Sequence, residues 1–136
     1  WAQKEPGYPY VEAVVVALDR YRDLLAEGRA VLIGDLNSNA LWDASHRRDR
    51  NHSAMVKMLS EFGMVSSYHA HTGEEHGKEM QPTFYFRWQK EKPYHIDYCF
   101  VPEGWLPRLR NVQIGSFEDW SQHSDHRPLL AEFAES

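Results

Sequence analysis

Apolar residues recur three or four apart from Val11 to Leu25 (Val11, Val14, Val15, Leu18, Tyr21, Leu25), with Glu12, Asp19, Arg20 and Asp23 between them. That spacing predicts an amphipathic helix that begins after Pro9 and stops at Gly28. The short apolar run Ala30-Val31-Leu32-Ile33 reads as a buried strand ending at Gly34-Asp35. A second helical pattern covers about 51–62, with Met55, Val56, Leu59 and Phe62 on one face and Gly63 at its end. Residues 64–68 read as a strand. Residues 70–82 contain Gly73, Gly77, Pro82 and several charges, and read as a loop. Residues 83–88 and 94–101 are aromatic and β-branched, and the polar Gln89-Lys90-Glu91-Lys92 between them predicts an antiparallel hairpin. Residues 112–114 and 129–133 are two further strands. The expected architecture is two helices on a mixed sheet of five or six strands, with polar motifs at strand ends, where active sites of α/β proteins gather.

Composition narrows the function classes. The 136 residues suit one domain, and 42% hydrophobic with 26% charged residues is a globular balance rather than a disordered one. A net charge of −5 argues against broad grip on a nucleic-acid backbone by this segment, but not against a small phosphoester. The one cysteine, Cys99, excludes an intrachain disulfide and reads as inert core. No apolar run is long enough for a membrane span and no secretory signal is visible, so the expectation is a cytoplasmic protein without a membrane partner. The first residue is Trp1 rather than Met, which suggests a piece of a longer protein or a processed product.

Three segments carry candidate chemistry. In Gly34-Asp35-Leu36-Asn37 a strand delivers a carboxylate and a carboxamide, two apart, to one side of the chain. The carboxylate can orient or deprotonate water and the amide can donate to a developing oxyanion, although both residues also favour plain turns. In His95-Ile96-Asp97-Tyr98, Asp97 points away from the face of Ile96, Tyr98 and Phe100 and needs a cationic or imidazole partner, catalytic or structural. Ser124-Asp125-His126 precedes the last strand. There a carboxylate suits Mg²⁺ and an imidazole can donate to a phosphoryl oxygen, or the segment is an exposed cap.

Other groups read more weakly. His69 and His71, with Glu75 and His76, could share a metal or form a polar rim. Trp88, Trp105 and Trp120 could stack on bases or anchor the core. Arg47-Arg48-Asp49-Arg50 is a substrate-facing or merely solvated loop.

Taken in order, the three segments resemble the endonuclease/exonuclease/phosphatase family, whose pattern is Gly-Asp-Phe/Leu-Asn, Arg-Ile-Asp-Tyr and Ser-Asp-His over about this length. The likeness runs from the first helix to the last strand. It implies that residues 1–136 are the C-terminal half of a four-layered α/β sandwich, a mixed, mostly antiparallel sheet with two helices, the N-terminal half being absent. It further implies Mg²⁺-dependent (or Mn²⁺-dependent) phosphoester hydrolysis by a nuclease, phosphatase or phosphodiesterase, acting on a phosphoester substrate that includes nucleic acid among the candidates. Asp35 would activate water, Asn37 contact the scissile phosphate, Asp97 pair with the catalytic His126, Asp125 stand near the metal, and Thr83 touch phosphate. His95 stands where the family usually has Arg. The resemblance assigns the principal metal ligand, a Glu, to the other half, so the 136-residue chain alone is expected to be inactive, to bind Mg²⁺ weakly, and to leave an apolar sheet face open. The alternative is a non-catalytic remnant or partner-binding module that kept the fold.

Overall fold

A computed structural model describes residues 10–135. The first helix pattern is realised as α1 (Tyr10–Arg20) and a short α2 (Arg22–Ala26), not as one helix. The break is at Tyr21 (φ −99°, ψ 14°), whose N–H is shared between the Ala17 and Leu18 carbonyls. Pro9 lies outside the described residues. Gly28 follows α2 in the left-handed region, φ 74°, which glycine reaches without a Cβ clash.

Strand β1 is Leu32–Asp35, two residues further along than the apolar run suggests. Its register is set by its partner β5 (Asp97–Pro102): Leu32 faces Phe100, Ile33 Cys99, Gly34 Tyr98, and Asp35 Asp97. The three-stranded sheet has the order β1-β5-β2, with β2 spanning Met64–Ser66, and both pairings are antiparallel. Thus β1 is an edge strand covered on one face rather than a buried one, and Ile33 is 65% exposed. Central β5 is covered on both faces, with Tyr98 to Val101 all buried. The helix α3 (His52–Glu61) is capped by Asn51, whose side chain accepts from the Ala54 N–H at 2.9 Å. Its Met55 and Leu59 are fully buried against Val15, Leu18, Leu25, Leu36, Tyr98 and Phe100. Truncating either to Ala would cost about 2–5 kcal/mol.

Beyond this core the observed path departs from the pattern. The chain leaves β2 at Ser66 and winds into α4 (Ser67–Thr72), where a continued strand was expected. The buried Tyr68 and a Ser66 Oγ to His69 Nδ1 bond of 2.7 Å hold that turn, and Gly73 (φ 73°) ends it. The expected long hairpin splits. Only β3 (Phe84–Tyr85) and β4 (Pro93–Tyr94) pair, because Arg87 and Trp88 take left-handed φ values of 53° and 57° that end the strand. β6 (Leu109–Ile114) and β7 (Leu129–Phe133) form a third antiparallel pair, and a short α5 (Phe117–Trp120) lies between them. Where two helices on one mixed sheet were expected, the described residues thus form five α-helical segments and three antiparallel sheets, and the α/β class stands. Cys99 is free and buried, and burial pushes its thiol pKa up.

Candidate active site

Asp35 and Asp97 face each other across the β1–β5 ladder. Two carboxylates directly opposite on one sheet face repel. The imidazole of His126 lies between them: Nδ1 is 2.9 Å from Asp97 Oδ2 and 3.2 Å from Oδ1, and Nε2 is 3.9 Å from Asp35 Oδ2. Asp97 is half-buried, and its pKa is raised by burial, an effect that hydrogen bonds from Thr83 and His126 partly offset.

Backbone geometry places each member. Gly34 has φ 140°, a region closed to residues with a Cβ, and this lets β1 turn its tip at Asp35. The Asn37 N–H donates to Asp35 Oδ1 at 2.7 Å, an Asx-type turn, and Asn37 itself sits at φ 45°, which Asn tolerates. Both side chains are exposed at the end of the strand. His126 is delivered by an isolated antiparallel bridge to Phe84. Tyr85 N–H donates to the Asp125 carbonyl at 2.8 Å, Arg127 N–H to the Thr83 carbonyl at 2.6 Å, and His126 N–H to Ser124 Oγ at 3.0 Å. The Phe84 ring packs against the imidazole, centres 4.7 Å apart.

Thr83 has a different place from the one expected. It is fully buried, and its hydroxyl accepts from the Ile96 and Asp97 N–H groups, both at 3.0 Å. It therefore braces the strand that carries Asp97 instead of facing a phosphate. Asp125 is half-exposed, and among the described residues no hydrogen bond or ion pair engages its carboxylate. Phe84, which sequence reasoning did not single out, packs on the imidazole, and only its adjacency to Thr83 could have flagged it. Ser124, which opens the Ser124-Asp125-His126 segment, accepts from the His126 backbone N–H and so fixes the chain that carries the ring.

Among the weaker candidates, Trp105 packs edge-on against Phe133, whereas Trp88 and Trp120 are exposed. Arg47 pairs with Asp49 at the surface and Arg50 lies 4.0 Å from Glu12. His71 is exposed and Glu75 pairs with Lys78, but His69 and His76 come together with a residue not anticipated, Glu79. Among the described residues no helix is long and apolar enough to cross a membrane.

No family model and no curated protein matches the sequence. Solved structures do. The 3′ phosphatase NExo from Neisseria, bound to product DNA hairpin, superposes with a TM-score of 0.71 over 97% of this chain at 22% identity. The 3′-5′ exonuclease NExo from Neisseria meningitidis does so with 0.70 over 96% at 24% identity. This chain spans 56% of the length of either structure. At such identities the likeness speaks for architecture alone: the chain has the endonuclease/exonuclease/phosphatase fold.

Proposed function

We propose that the chain contributes the Asp35, Asn37, Asp97 and His126 machinery of a metal-dependent phosphoester hydrolase. The observation that carries this reading is the line Asp97–His126–Asp35, with Nδ1 of the imidazole tied to one carboxylate and Nε2 turned toward the other. Asp97 fixes the ring so that Nε2 can donate to a phosphoryl oxygen as negative charge builds there. Asp35 keeps Oδ2 available while Oδ1 is bound by the Asn37 N–H, and so can take a proton from the attacking water. The Asn37 carboxamide donates to the same phosphate without adding charge. The step balances: water yields one hydrogen to Asp35 as its oxygen bonds to phosphorus, the bond from phosphorus to the ester oxygen breaks, the leaving oxygen takes up a proton from solvent, and Asp35 returns its own to solvent.

The carboxylates of Asp125 and Asp35, hard oxygen donors of which Asp125 has no protein partner among the described residues, fit a hard divalent ion such as Mg²⁺ or Mn²⁺. Asp125 would hold it. Such an ion polarises the phosphoryl group and stabilises the leaving oxygen. Because the matched structures are nearly twice as long, a second half of the domain is taken to supply the remaining metal ligand. Nucleic acid with a 3′ phosphoester is the first substrate to test, since the neighbouring structures are a 3′ phosphatase and a 3′-5′ exonuclease.

The test is hydrolysis of a panel of 3′-phosphorylated and 3′-hydroxyl oligonucleotides, phosphoinositides and sphingomyelin with Mg²⁺, by the protein carrying both halves. His126→Ala and Asp35→Asn should each lower turnover by about 10²–10⁴-fold. Turnover unchanged in His126→Ala, or no hydrolysis of any panel member, overturns the reading.

A further inference from the structure

We propose that His69, His76 and Glu79 form a second divalent-metal site, of the zinc type, that shares no residue with the Asp35–Asp97–His126 cluster. One ligand atom from each lies within 4.8 Å of the others. His69 Nε2 is 3.1 Å from Glu79 Oε1, close to the separation of about 3.3 Å between two ligands on arms of ~2.0 Å around tetrahedral zinc. Two imidazoles and one carboxylate are a donor set that Zn²⁺ takes, with a fourth position for water.

The surroundings are those of a built site. The side chains of His69 and Glu79 are 8% and 3% exposed. Each prospective ligand is held from behind. Ser66 Oγ engages His69 Nδ1 at 2.7 Å, which leaves Nε2 for an ion. His76 Nδ1 lies 3.0 Å from His52 Nε2, and His52 Nδ1 lies 3.0 Å from Ser38 Oγ, a relay that orients the His76 ring. The Gly77 N–H donates to both oxygens of Glu79 at 3.0 Å, and Asn39 Nδ2 donates to Oε2 at 3.2 Å. The His69 and His76 rings lie stacked, centres 3.5 Å apart and planes 14° from parallel, and a shared ion requires them to tilt until their lone pairs converge.

A separate observation points the same way. His95 is 3% exposed, and its Nδ1 donates to the Gln81 carbonyl at 2.8 Å, yet its Nε2 is buried with no hydrogen-bond partner. A buried acceptor left without a partner destabilises the fold unless something answers it. Its ring centre is 5.7 Å from that of His69. A cavity of about 120 Å³ lined by Asn39, Glu79 and His95 leaves room for water between them. A metal-bound water donating to His95 Nε2 would satisfy it. An ion here would tie α4, which carries His69, to the loop bearing His76 and Glu79, and that loop leads to Thr83 and so to the strand of Asp97.

The test uses untagged protein stripped with a chelator and titrated with Zn²⁺ against a chromophoric competitor, with Co²⁺ as a spectroscopic stand-in. One Zn²⁺ per chain and Co²⁺ bands of tetrahedral intensity are expected. His76→Gln and Glu79→Gln should each weaken binding by at least ~10-fold, with unchanged circular dichroism. His71→Ala, an exposed neighbour, and His126→Ala, in the other cluster, should leave it unchanged. Should Glu79→Gln fail to fold, His76→Gln decides, because it leaves the hydrogen bonds to Glu79 intact. Absence of stoichiometric binding, wild-type affinity in folded His76→Gln, or loss of binding in His126→Ala would overturn the proposal. Phosphoester hydrolysis is not a readout of this experiment, so its outcome is separable from that of the proposed activity.

Discussion

His126 Nδ1 lies 2.9 Å from Asp97 Oδ2, while the opposite nitrogen of the same ring lies 3.9 Å from Asp35 Oδ2. The imidazole therefore separates two carboxylates that the sheet register holds face to face. In the proposed reaction Asp97 would orient the ring, and the Nε2 edge would meet the substrate.

Asp97→Asn should therefore lower turnover more than it lowers stability. The amide keeps the shape and can still bond to Thr83, so stability should change by no more than about 1–2 kcal/mol. Loss of ring orientation should lower kcat by about 10²–10⁴-fold with little change in KM. Steady-state kinetics beside a urea titration measure both, and an equal fall in the two would mark Asp97 as a structural residue.

Gly34→Ala tests the strand tip. An added Cβ meets nothing within 4 Å, yet φ 140° is a conformation that alanine avoids. The expected cost is about 1–3 kcal/mol from backbone strain alone. Equilibrium denaturation decides, and a neutral substitution would show that the tip relaxes.

Tyr98→Phe removes a buried hydroxyl that lies 2.9 Å from both the Ser38 and His95 carbonyls and accepts from Asn39 Nδ2 at 3.3 Å. Leaving these groups unpaired should cost about 1–3 kcal/mol. A thermal melt of the variant should show the fall, with the fold retained.

In metal-free protein the histidine cluster should make folding acid-labile. Burial lowers the pKa of His52 to about 4 and that of His76 to about 3, from an ordinary value of 6.5. Between those values and 6.5 the unfolded chain binds protons that the folded one does not, so stability rises with pH across that window and falls as pH drops through it. Glu79 adds to the fall below its ordinary 4.5: burial acts to raise its pKa, but bonds from His69, Gly77 and Asn39 hold it at about 2. The loss should be on the order of a few kcal/mol between neutral pH and pH ~4. Denaturant midpoints measured against pH provide the check, and a flat profile from 6.5 to 4 would contradict the burial of these rings.

Much of the site was legible because its chemistry is local. Gly34-Asp35-Leu36-Asn37 must end a strand, and the alternation around Asp97 sets its carboxylate opposite Tyr98 and Phe100. What the sequence could not show depends on contacts between distant segments. Ser67 to Thr72 has an aromatic and polar make-up that suits a strand tip, and the helix is favoured by the burial of Tyr68, its 2.6 Å bond to Glu74 and the Ser66 Oγ to His69 Nδ1 bond. Thr83 was set against phosphate by the resemblance, but its hydroxyl is taken by the N–H groups of Ile96 and Asp97, thirteen and fourteen residues on. Glu79 lay unnoticed in a charged loop, since only folding brings it beside His69, ten residues back.

The central position of β5 has a kinetic consequence. A strand bonded on both sides and covered on both faces releases its amides to solvent only in the rarest openings of the molecule. Asp97 belongs to that strand, whereas Asp35 sits at the exposed tip of an edge strand. The pair of carboxylates thus joins a slowly exchanging anchor to a faster-breathing rim. Deuterium uptake should separate the two by orders of magnitude, and any rearrangement of the carboxylate pair on binding a phosphoester should fall on the Asp35 side.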